Sequence, residues 1–394
     1  MSKHICYKVE FKPNKSQIIT INKTLGTCRF VYNRFIGTNK KNYENGNKEF
    51  ITGYEFSKRL NQVIKERNDL SWIKESSSKA IKQSIMDAEK AYKRFFKGLS
   101  GFPRFKSKKN NVHSYFFEKV TVKIKKSKIK VPILGWLKLK EKDYIKKNNE
   151  VTSGRIIKED DKYFVMLICK RKKKLKKKET VNVGLGIDVG IKNYLTIANS
   201  YNNNIGIVRN FNKDKTIEEI EEKIKQYQQI IANKIEINKK RGGGEAIYNS
   251  NNILKLRKKI RELFRRLRNI RNDNIKKICD GLTKIKLKYI TIEDLSNENI
   301  LQEGSHKLSD NWAKCKFYYF RTFLAWKCEQ RGIELRIAKR NYPSSKTCSK
   351  CGYINKELTL SDRTYICPEC GMEIDRDANA AINLLNTTKY SISK

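Results

Sequence analysis

The first hundred residues are predicted to be mainly helical, because apolar residues recur there at steps of three and four. A short alternating strand over 6–11 comes first, and Asn14 or Ser16 can then cap a helix. Further helices are expected over about 54–66 and 78–97. One face of the first helix carries Ile21, Leu25, Cys28, Tyr32 and Phe35.

Between residues 113 and 170 the pattern changes to a period of two, which predicts strands over 114–117, 119–124 and 163–168. The helices therefore stand between an early strand and a later group of strands. We expect the N-terminal part to be a helical lobe inserted into a small β-rich body. A run with seven basic residues in eight follows over 171–178, and we interpret it as a solvated linker, with phosphate contact as the alternative.

From residue 181 the chain alternates strands with helices, which indicates an α/β domain. Strands are expected over 183–189, 194–198, 288–293 and 333–337, and a broad-faced helix over 311–331. Two long stretches between them carry apolar seams at steps of three and four, which predicts an antiparallel helical hairpin. The seam residues are Ile217, Ile220, Ile224, Tyr227 and Ile231 on one stretch and Ile253, Leu256, Ile260, Leu263, Leu267 and Ile270 on the other.

The charge balance indicates a polyanionic partner. Lys and Arg number 87 against 41 Asp and Glu in 394 residues, a net charge of +46. Nucleic acid is the expected partner and an anionic membrane surface the alternative. Apolar residues make up 38%, enough for real cores, and no apolar run is long enough to span a membrane. We expect a soluble, cytoplasmic, nucleoid-associated protein of prokaryotic type.

Four of the ten cysteines form two C-x2-C pairs with fifteen residues between them. Thiolates at this spacing can close a tetrahedron around Zn²⁺, and four protein ligands leave no open position, so the predicted zinc site is structural. The remaining cysteines stand alone, as in a reducing compartment. The predicted zinc ligands are Cys348, Cys351, Cys367 and Cys370.

Three acidic residues end predicted strands or begin a helix. Asp188 lies at the end of a predicted strand. Gly184 and Gly186 occupy the alternate positions on its side of that strand, and backbone without side chains suits close approach by a metal or phosphate. Glu293 ends a second strand on its polar side, with Asp294 the weaker candidate. Asp377 lies at the start of an Ala/Leu-rich helix. The alternatives are a strand-end aspartate without a role and, for Asp377, an ordinary N-cap.

Together these carboxylates predict a magnesium site for phosphodiester chemistry. Three like charges need neutralisation, which two Mg²⁺ ions about 4 Å apart would supply while clamping a scissile phosphate. The three histidines (His4, His113 and His306) are too few and too scattered for a His-based nuclease. The segment Gly186–Gly190 also resembles the start of actin-like ATPases. This alternative is more distant, because such ATPases need a second phosphate loop after a strand and the sequence does not offer one.

Six segments in family order make the chain resemble the transposon-encoded TnpB (OrfB) family, close to the miniature type V CRISPR effectors. They are Cys28-Arg-Phe-Val-Tyr-Asn, Phe95-Phe-Lys with Gly101-Phe-Pro-Arg-Phe-Lys, Gly186-Ile-Asp-Val-Gly, Ile292-Glu-Asp-Leu, Tyr342-Pro-Ser-Ser-Lys-Thr-Cys-Ser-Lys-Cys-Gly and Asp375-Arg-Asp-Ala-Asn-Ala-Ala.

The resemblance implies a multidomain α/β protein with an added β-barrel. Its parts would be a wedge-like β-barrel over 1–12 and 110–180 and a helical recognition insert over 13–109. A RuvC-type, RNase H-like nuclease domain would follow over 181–347 and 372–394, with the helical hairpin at 216–288 and a zinc-ribbon module for target nucleic acid at 348–371.

The resemblance also implies the activity. Asp188, Glu293 and Asp377 would be the catalytic, Mg²⁺-binding acids, and Tyr54, Lys79 and Gln83 would contact a motif beside the target. The expected function is an RNA-guided DNA endonuclease with guide RNA and double-stranded DNA as partners, as a monomer with one RNA. The alternatives are a non-cleaving, RNA-guided DNA-binding regulator and an unguided nuclease or transposase accessory protein of the same fold.

Overall fold

The chain divides into two compact units, Met1–Lys174 and Leu175–Lys394. The structure, a computed structural model, describes residues 4–46, 49–109, 112–119, 122–145, 149–170, 182–201, 204–242, 244, 246–285, 287–294, 306–359 and 362–393. The basic run at 171–178, predicted to be a linker, lies outside these residues. None of the helices in the described part combines the length and apolar character needed to cross a membrane.

The first unit contains a seven-stranded antiparallel sheet in the order β2-β6-β7-β1-β5-β4-β3. Strand β2 lies at one edge and β3 at the other, and no pairing between described residues joins the two edges into a barrel. Of the predicted strand at 119–124, residues 120 and 121 lie outside the described residues, and the described strand begins at Lys123. The strands are β1 (His4–Lys12), β2 (Val112–Glu118), β3 (Lys123–Lys125), β4 (Lys128–Val131), β5 (Gly135–Leu139), β6 (Val151–Glu159) and β7 (Lys162–Lys170).

Three helices stand between β1 and β2 in the sequence: α1 (Lys15–Glu44), α2 (Gly53–Glu66) and α3 (Ser78–Phe96). Asn14 caps α1 through a reciprocal pair of hydrogen bonds with Gln17, so the cap is Asn14 and not Ser16. All five apolar residues predicted to share one face of α1 are buried. The face divides along its length: Ile21, Leu25 and Cys28 join the core of the sheet, and Tyr32 and Phe35 join a core among the helices.

The second unit is built on a six-stranded mixed sheet in the order β10-β9-β8-β11-β12-β15. The central strands β8, β11 and β12 run parallel, while β9, β10 and β15 are antiparallel to their neighbours. A separate hairpin, β13 (Thr364–Ile366) with β14 (Glu373–Asp375), belongs to the cysteine region. The sheet strands are β8 (Gly184–Val189), β9 (Asn193–Asn199), β10 (Ile205–Arg209), β11 (Tyr289–Ile292), β12 (Glu334–Ala338) and β15 (Tyr390–Ile392).

The predicted hairpin is confirmed by α4 (Lys215–Lys240) and α6 (Asn251–Leu282), with the short α5 (Ala246–Asn249) between them. All eleven seam residues are buried in the core of this unit or packed against it. The final helix of the unit is α9 (Arg376–Asn386).

The single helix predicted over 311–331 is wrong, because the chain forms α7 (His306–Cys315) and α8 (Phe317–Arg331) with a break at Lys316. Lys316 adopts a left-handed conformation with φ of 54°. Cys315 and Phe317 are both buried. Residues two apart in a continuous helix diverge by about 200°, so the break is what allows both side chains to enter one core.

The predicted reason for the bare glycines of β8 is also wrong. A Cβ atom on Gly186 would lie 2.7 Å from the Cα of Leu385, and still closer to the carbonyl oxygen of Ala381 and the amide nitrogen of Leu385. A Cβ on Gly184 would enter the ring of Tyr289. The glycines therefore make room for α9 and a tyrosine ring instead of a ligand.

Candidate active site

Two of the predicted acids lie side by side at the ends of neighbouring parallel strands. Ile187 of β8 pairs with Ile292 of β11, so the next residues are Asp188 and Glu293. Adjacent strands lie about 4.8 Å apart, which brings the two carboxyl groups to the same edge of the sheet. Asp294 takes no part, because its carboxylate forms a 2.6 Å ion pair with Arg321.

The third acid, Asp377, lies in the first turn of α9. Asp375 is the N-cap of this helix, and its carboxylate accepts hydrogen bonds from the amides of Asp377 and Ala378 at 3.0 and 3.1 Å. The alternative that Asp377 is an ordinary N-cap is thereby excluded. Because the backbone of α9 packs directly on Gly186, the first turn of the helix carries Asp377 towards the end of β8.

The three carboxyl groups act on one another electrostatically. Burial raises the pKa of Asp188 well above its usual range, and the neighbouring carboxylates of Glu293 and Asp377 raise it further. Burial also raises the pKa of Glu293; the hydrogen bond from Ser344 lowers it and Asp377 raises it. Arg376 opposes the shift at Asp188 and lies 3.8 Å from Asp377. Without a cation, the cluster therefore resists carrying three negative charges.

A cation is the natural partner for this arrangement. Carboxylate oxygens are the ligands preferred by Mg²⁺, and an electropositive ion would offset the repulsion that raises these pKa values. The carboxylates are less tightly clustered than the cysteines described below: within the described residues, only the four thiols form a ligand set of three or more whose atoms all lie within 4.8 Å of one another.

Helix α9 also holds the loop that precedes the cysteines. The side-chain amide of Asn383 donates to the carbonyls of Ser344 and Thr347 at 2.8 and 2.6 Å. Asn379 donates to Thr347 at 2.7 Å and accepts from the amide of Ser349 at 3.0 Å. Ser344 in turn donates a 2.5 Å hydrogen bond to Glu293. One helix thus positions Asp377 directly and Glu293 through Ser344.

The four predicted cysteine ligands converge. The Sγ atoms of Cys348 and Cys370 are 3.6 Å apart and those of Cys351 and Cys367 are 3.5 Å apart, too far for disulfides. A tetrahedral zinc ion with bonds of about 2.3 Å has ligand separations near 3.8 Å, so the set fits zinc. Burial tends to raise the pKa of Cys367, but the amides of Cys370 and Glu369 bring it to about 7, which favours thiolate.

Glycines form the tight turns after both cysteine pairs. Gly352 and Gly371 have φ of 79° and 66°, conformations that residues with a Cβ rarely adopt. Their amides donate to the carbonyls of Cys348 and Cys367 at 2.9 and 3.0 Å. The backbone therefore turns tightly around the thiols.

The three residues predicted to contact a target-adjacent motif all lie in the first unit. Tyr54 is 75% exposed near the start of α2. Lys79 and Gln83 lie on α3, where Lys79 forms a 3.0 Å ion pair with Glu118 and Gln83 donates to Asp87 at 2.9 Å. The structure brings Lys79 and Gln83 to one helix face, and their role stays a prediction.

The sequence patterns do not predict four further residues that contact the three acids or hold the neighbouring loop. They are Ser344, Arg376, Asn379 and Asn383. A signal existed for the two asparagines, because amides four residues apart in an Ala/Leu-rich helix share one face. Both are buried. Ser344 had no comparable signal, since its contact with Glu293 joins residues 51 positions apart.

Comparison with solved structures identifies a protein with a similar fold. The structure matches the cryo-EM structure of a Cas12f1–sgRNA–target DNA complex with a TM-score of 0.57, at 17% identity, over 95% of this chain and 83% of that one. The "Cas12f1-like, TNB domain" family matches residues 317–384, which include all four cysteines and Asp377. The chain thus has the overall fold of a Cas12f1-type protein.

Sequence relatives then confirm the predicted resemblance to the TnpB (OrfB) family. The putative RNA-guided DNA endonuclease InsQ of Escherichia coli is 25% identical over 96% of this chain and 91% of its own length. A putative RNA-guided DNA endonuclease of Streptomyces pristinaespiralis is 25% identical over 96% of this chain and 88% of its own. The "Helix-turn-helix domain" family of OrfB proteins matches residues 1–48, of which the described part, 4–46, forms β1 and α1.

Proposed function

We propose that this protein is an RNA-guided DNA endonuclease that cuts DNA with a RuvC-type, Mg²⁺-dependent site. The observation that carries the proposal is the convergence of Asp188, Glu293 and Asp377 from two strand ends and a helix start, where burial and the neighbouring carboxylates raise the pKa values of Asp188 and Glu293. The order of the six-stranded sheet, with β8, β11 and β12 parallel at its centre, supports an RNase H-like nuclease domain.

Each side chain has a distinct part in this proposal. Asp188, Glu293 and Asp377 would hold Mg²⁺, and the charge of a bound ion would favour activation of the attacking water and stabilise the leaving oxygen. Ser344 orients Glu293 by donating to Oε1. Arg376 places a positive charge beside Asp188 and Asp377, where it can also meet a phosphate. The amides of Asn379 and Asn383 keep the Ser344 loop on α9.

The remaining parts are inferred from the relatives named above. Guide RNA would select the target by base pairing, and basic side chains would hold the heteroduplex by its backbone. Zinc held by the four cysteines would be structural. Tyr54, Lys79 and Gln83 would meet the target-adjacent motif, and the antiparallel sheet of the first unit would serve as the wedge-like domain.

The test uses purified protein, RNA transcribed from its native locus, Mg²⁺ and duplex DNA that matches the guide. Asp188→Ala and Glu293→Ala are expected to abolish cleavage while RNA binding persists. Asp294→Ala is the matched control, because Asp294 follows Glu293 directly but pairs with Arg321. Cleavage by Asp188→Ala at the parent rate would refute the site. Guided DNA binding without cleavage by the parent protein would favour the regulator instead.

A further inference from the structure

The first unit has a further exposed surface, formed by the end of α3 and the segment 97–106 that follows it. Phe96, Phe102 and Phe105 expose 62%, 45% and 54% of their surface. Pro103, between the last two, is buried. Several large apolar side chains exposed on one short segment commonly mark an interaction site.

The loop is held in place by α1. The side chain of Asn33 accepts from the amide of Lys106 at 2.8 Å and donates to its carbonyl at 2.9 Å. The ammonium of Lys106 lies 3.8 Å from the ring centroid of Tyr32. These contacts leave the Phe105 side chain outside, where it approaches α1 at Gly37.

A groove of about 520 Å³ runs along α1 at this place. Asn33 and Gly37 of α1 line the groove, and the loop lies against both of them, so Phe105 lies beside the groove. Phe30, at another part of its wall, contacts the ring of Trp72 with centroids 5.2 Å apart. The groove is lined by Phe30, Asn33, Arg34, Gly37, Thr38, Lys41 and Asn42.

The charge around the groove is mainly positive. Arg34 and Lys41 line it, and the segment 90–109 contains eight Lys or Arg residues and no acidic one. Asp69 is close enough to Arg34 to interact with it, but Arg67 already binds Asp69 through two hydrogen bonds of 3.0 and 2.8 Å. A cationic groove beside exposed rings is the chemistry that binds unpaired nucleotides, with phosphates on the cations and bases on the rings.

We propose that this groove binds an unpaired segment of RNA, with a base stacked on Phe105 and phosphates on Arg34 and Lys41. Folded RNA offers splayed bases in loops and bulges, whereas duplex DNA offers none until it opens. The inference rests on the proposed function, because it takes the ligand to be part of the guide RNA. It adds a binding site that does not depend on the carboxylates.

The test measures binding of a fluorescent 12-nucleotide single-stranded RNA by anisotropy, without Mg²⁺ and in the Asp188→Ala background. Phe105→Ala is expected to weaken binding about tenfold, in the range lost when one stacked base loses its ring. Phe105→Tyr should restore it. Arg34→Gln should reduce the slope of log affinity against log salt by about 0.7, the value for one phosphate contact on a single strand. Tyr201→Ala, an exposed aromatic in the second unit, is the matched control.

Four outcomes overturn the inference. One is equal affinity of Phe105→Ala and the parent, and another is equal loss in Phe105→Ala and Tyr201→Ala. The third is unchanged RNA affinity in Phe105→Ala together with loss of a concentration-dependent dimer in sedimentation, which would make the surface an interface between copies of this chain. A matching 12-nucleotide DNA that binds more tightly than RNA, with the same dependence on Phe105, also overturns the choice of RNA. Failure of the parent to bind any RNA would instead count against the proposed function.

Discussion

Replacing Gly186 by alanine should reduce the stability of the second unit and displace the residues of the proposed active site. The added Cβ would lie 2.7 Å from the Cα of Leu385 and nearer still to two other backbone atoms of α9. Backbone cannot yield as a flexible side chain can, so either β8 or α9 must move. Overpacking of this kind costs about 1–3 kcal/mol, and we expect the upper end because every close atom is backbone.

The two consequences are measured separately. A cost of about 3 kcal/mol lowers the melting temperature by roughly 6–12 °C for a unit of 150–250 residues, which calorimetry resolves. Cleavage assayed well below the melting temperature should fall by about tenfold or more, because displacement of α9 moves Asp377 away from Asp188 and small misplacements of catalytic groups are costly.

Gly206→Ala provides the matched control. Gly206 lies in β10 of the same sheet, but a Cβ there would lie 3.9 Å from its nearest neighbour, an ordinary contact. This variant should melt and cleave like the parent. If Gly186→Ala behaves in the same way, the close packing of α9 on β8 does not position the site and the reasoning fails.

Three further predictions concern the acids and the thiols. The raised pKa of Asp188 means that the folded state binds more protons than the unfolded state from about pH 4 upward, so the metal-free protein should lose stability as the pH rises towards the raised pKa. Asp188→Asn should therefore melt higher than the parent at pH 7.5 without metal and equally at pH 3.5, and only the parent should gain stability from Mg²⁺; the opposite order would contradict the assigned burial and repulsion. Ser344→Ala should slow cleavage about tenfold and raise the Mg²⁺ requirement, because Glu293 loses its 2.5 Å hydrogen bond, and an unchanged Mg²⁺ titration would count against this orienting role. Cys367→Ser should reduce the zinc content measured by mass spectrometry from about one per chain, whereas Cys6→Ser should retain it, and zinc retained in both would exclude the four-thiol site.

Much of this architecture follows from local pattern. The cap at Asn14, the buried face of α1 and the seam between α4 and α6 were predictable because helical periodicity is imposed by the backbone itself. The two C-x2-C pairs were also predictable from the sequence, because the short spacing within each pair brings its two thiols together. The three acids could be proposed from strand ends and a helix start, and their catalytic role stays a proposal.

What only the tertiary structure decided depends on contacts between distant segments. Gly186 was expected to face a ligand, but it faces the backbone of α9, whose contacting residues are about two hundred positions away in the chain. The break at Lys316 exists because Cys315 and Phe317 must enter one core, and Ser344 reaches Glu293 only because Asn383 holds its loop. Periodicity reports which side of an element is apolar, because burial repeats with the backbone. Periodicity does not predict which other helix or strand packs against that apolar side, because this depends on the packing of the whole unit.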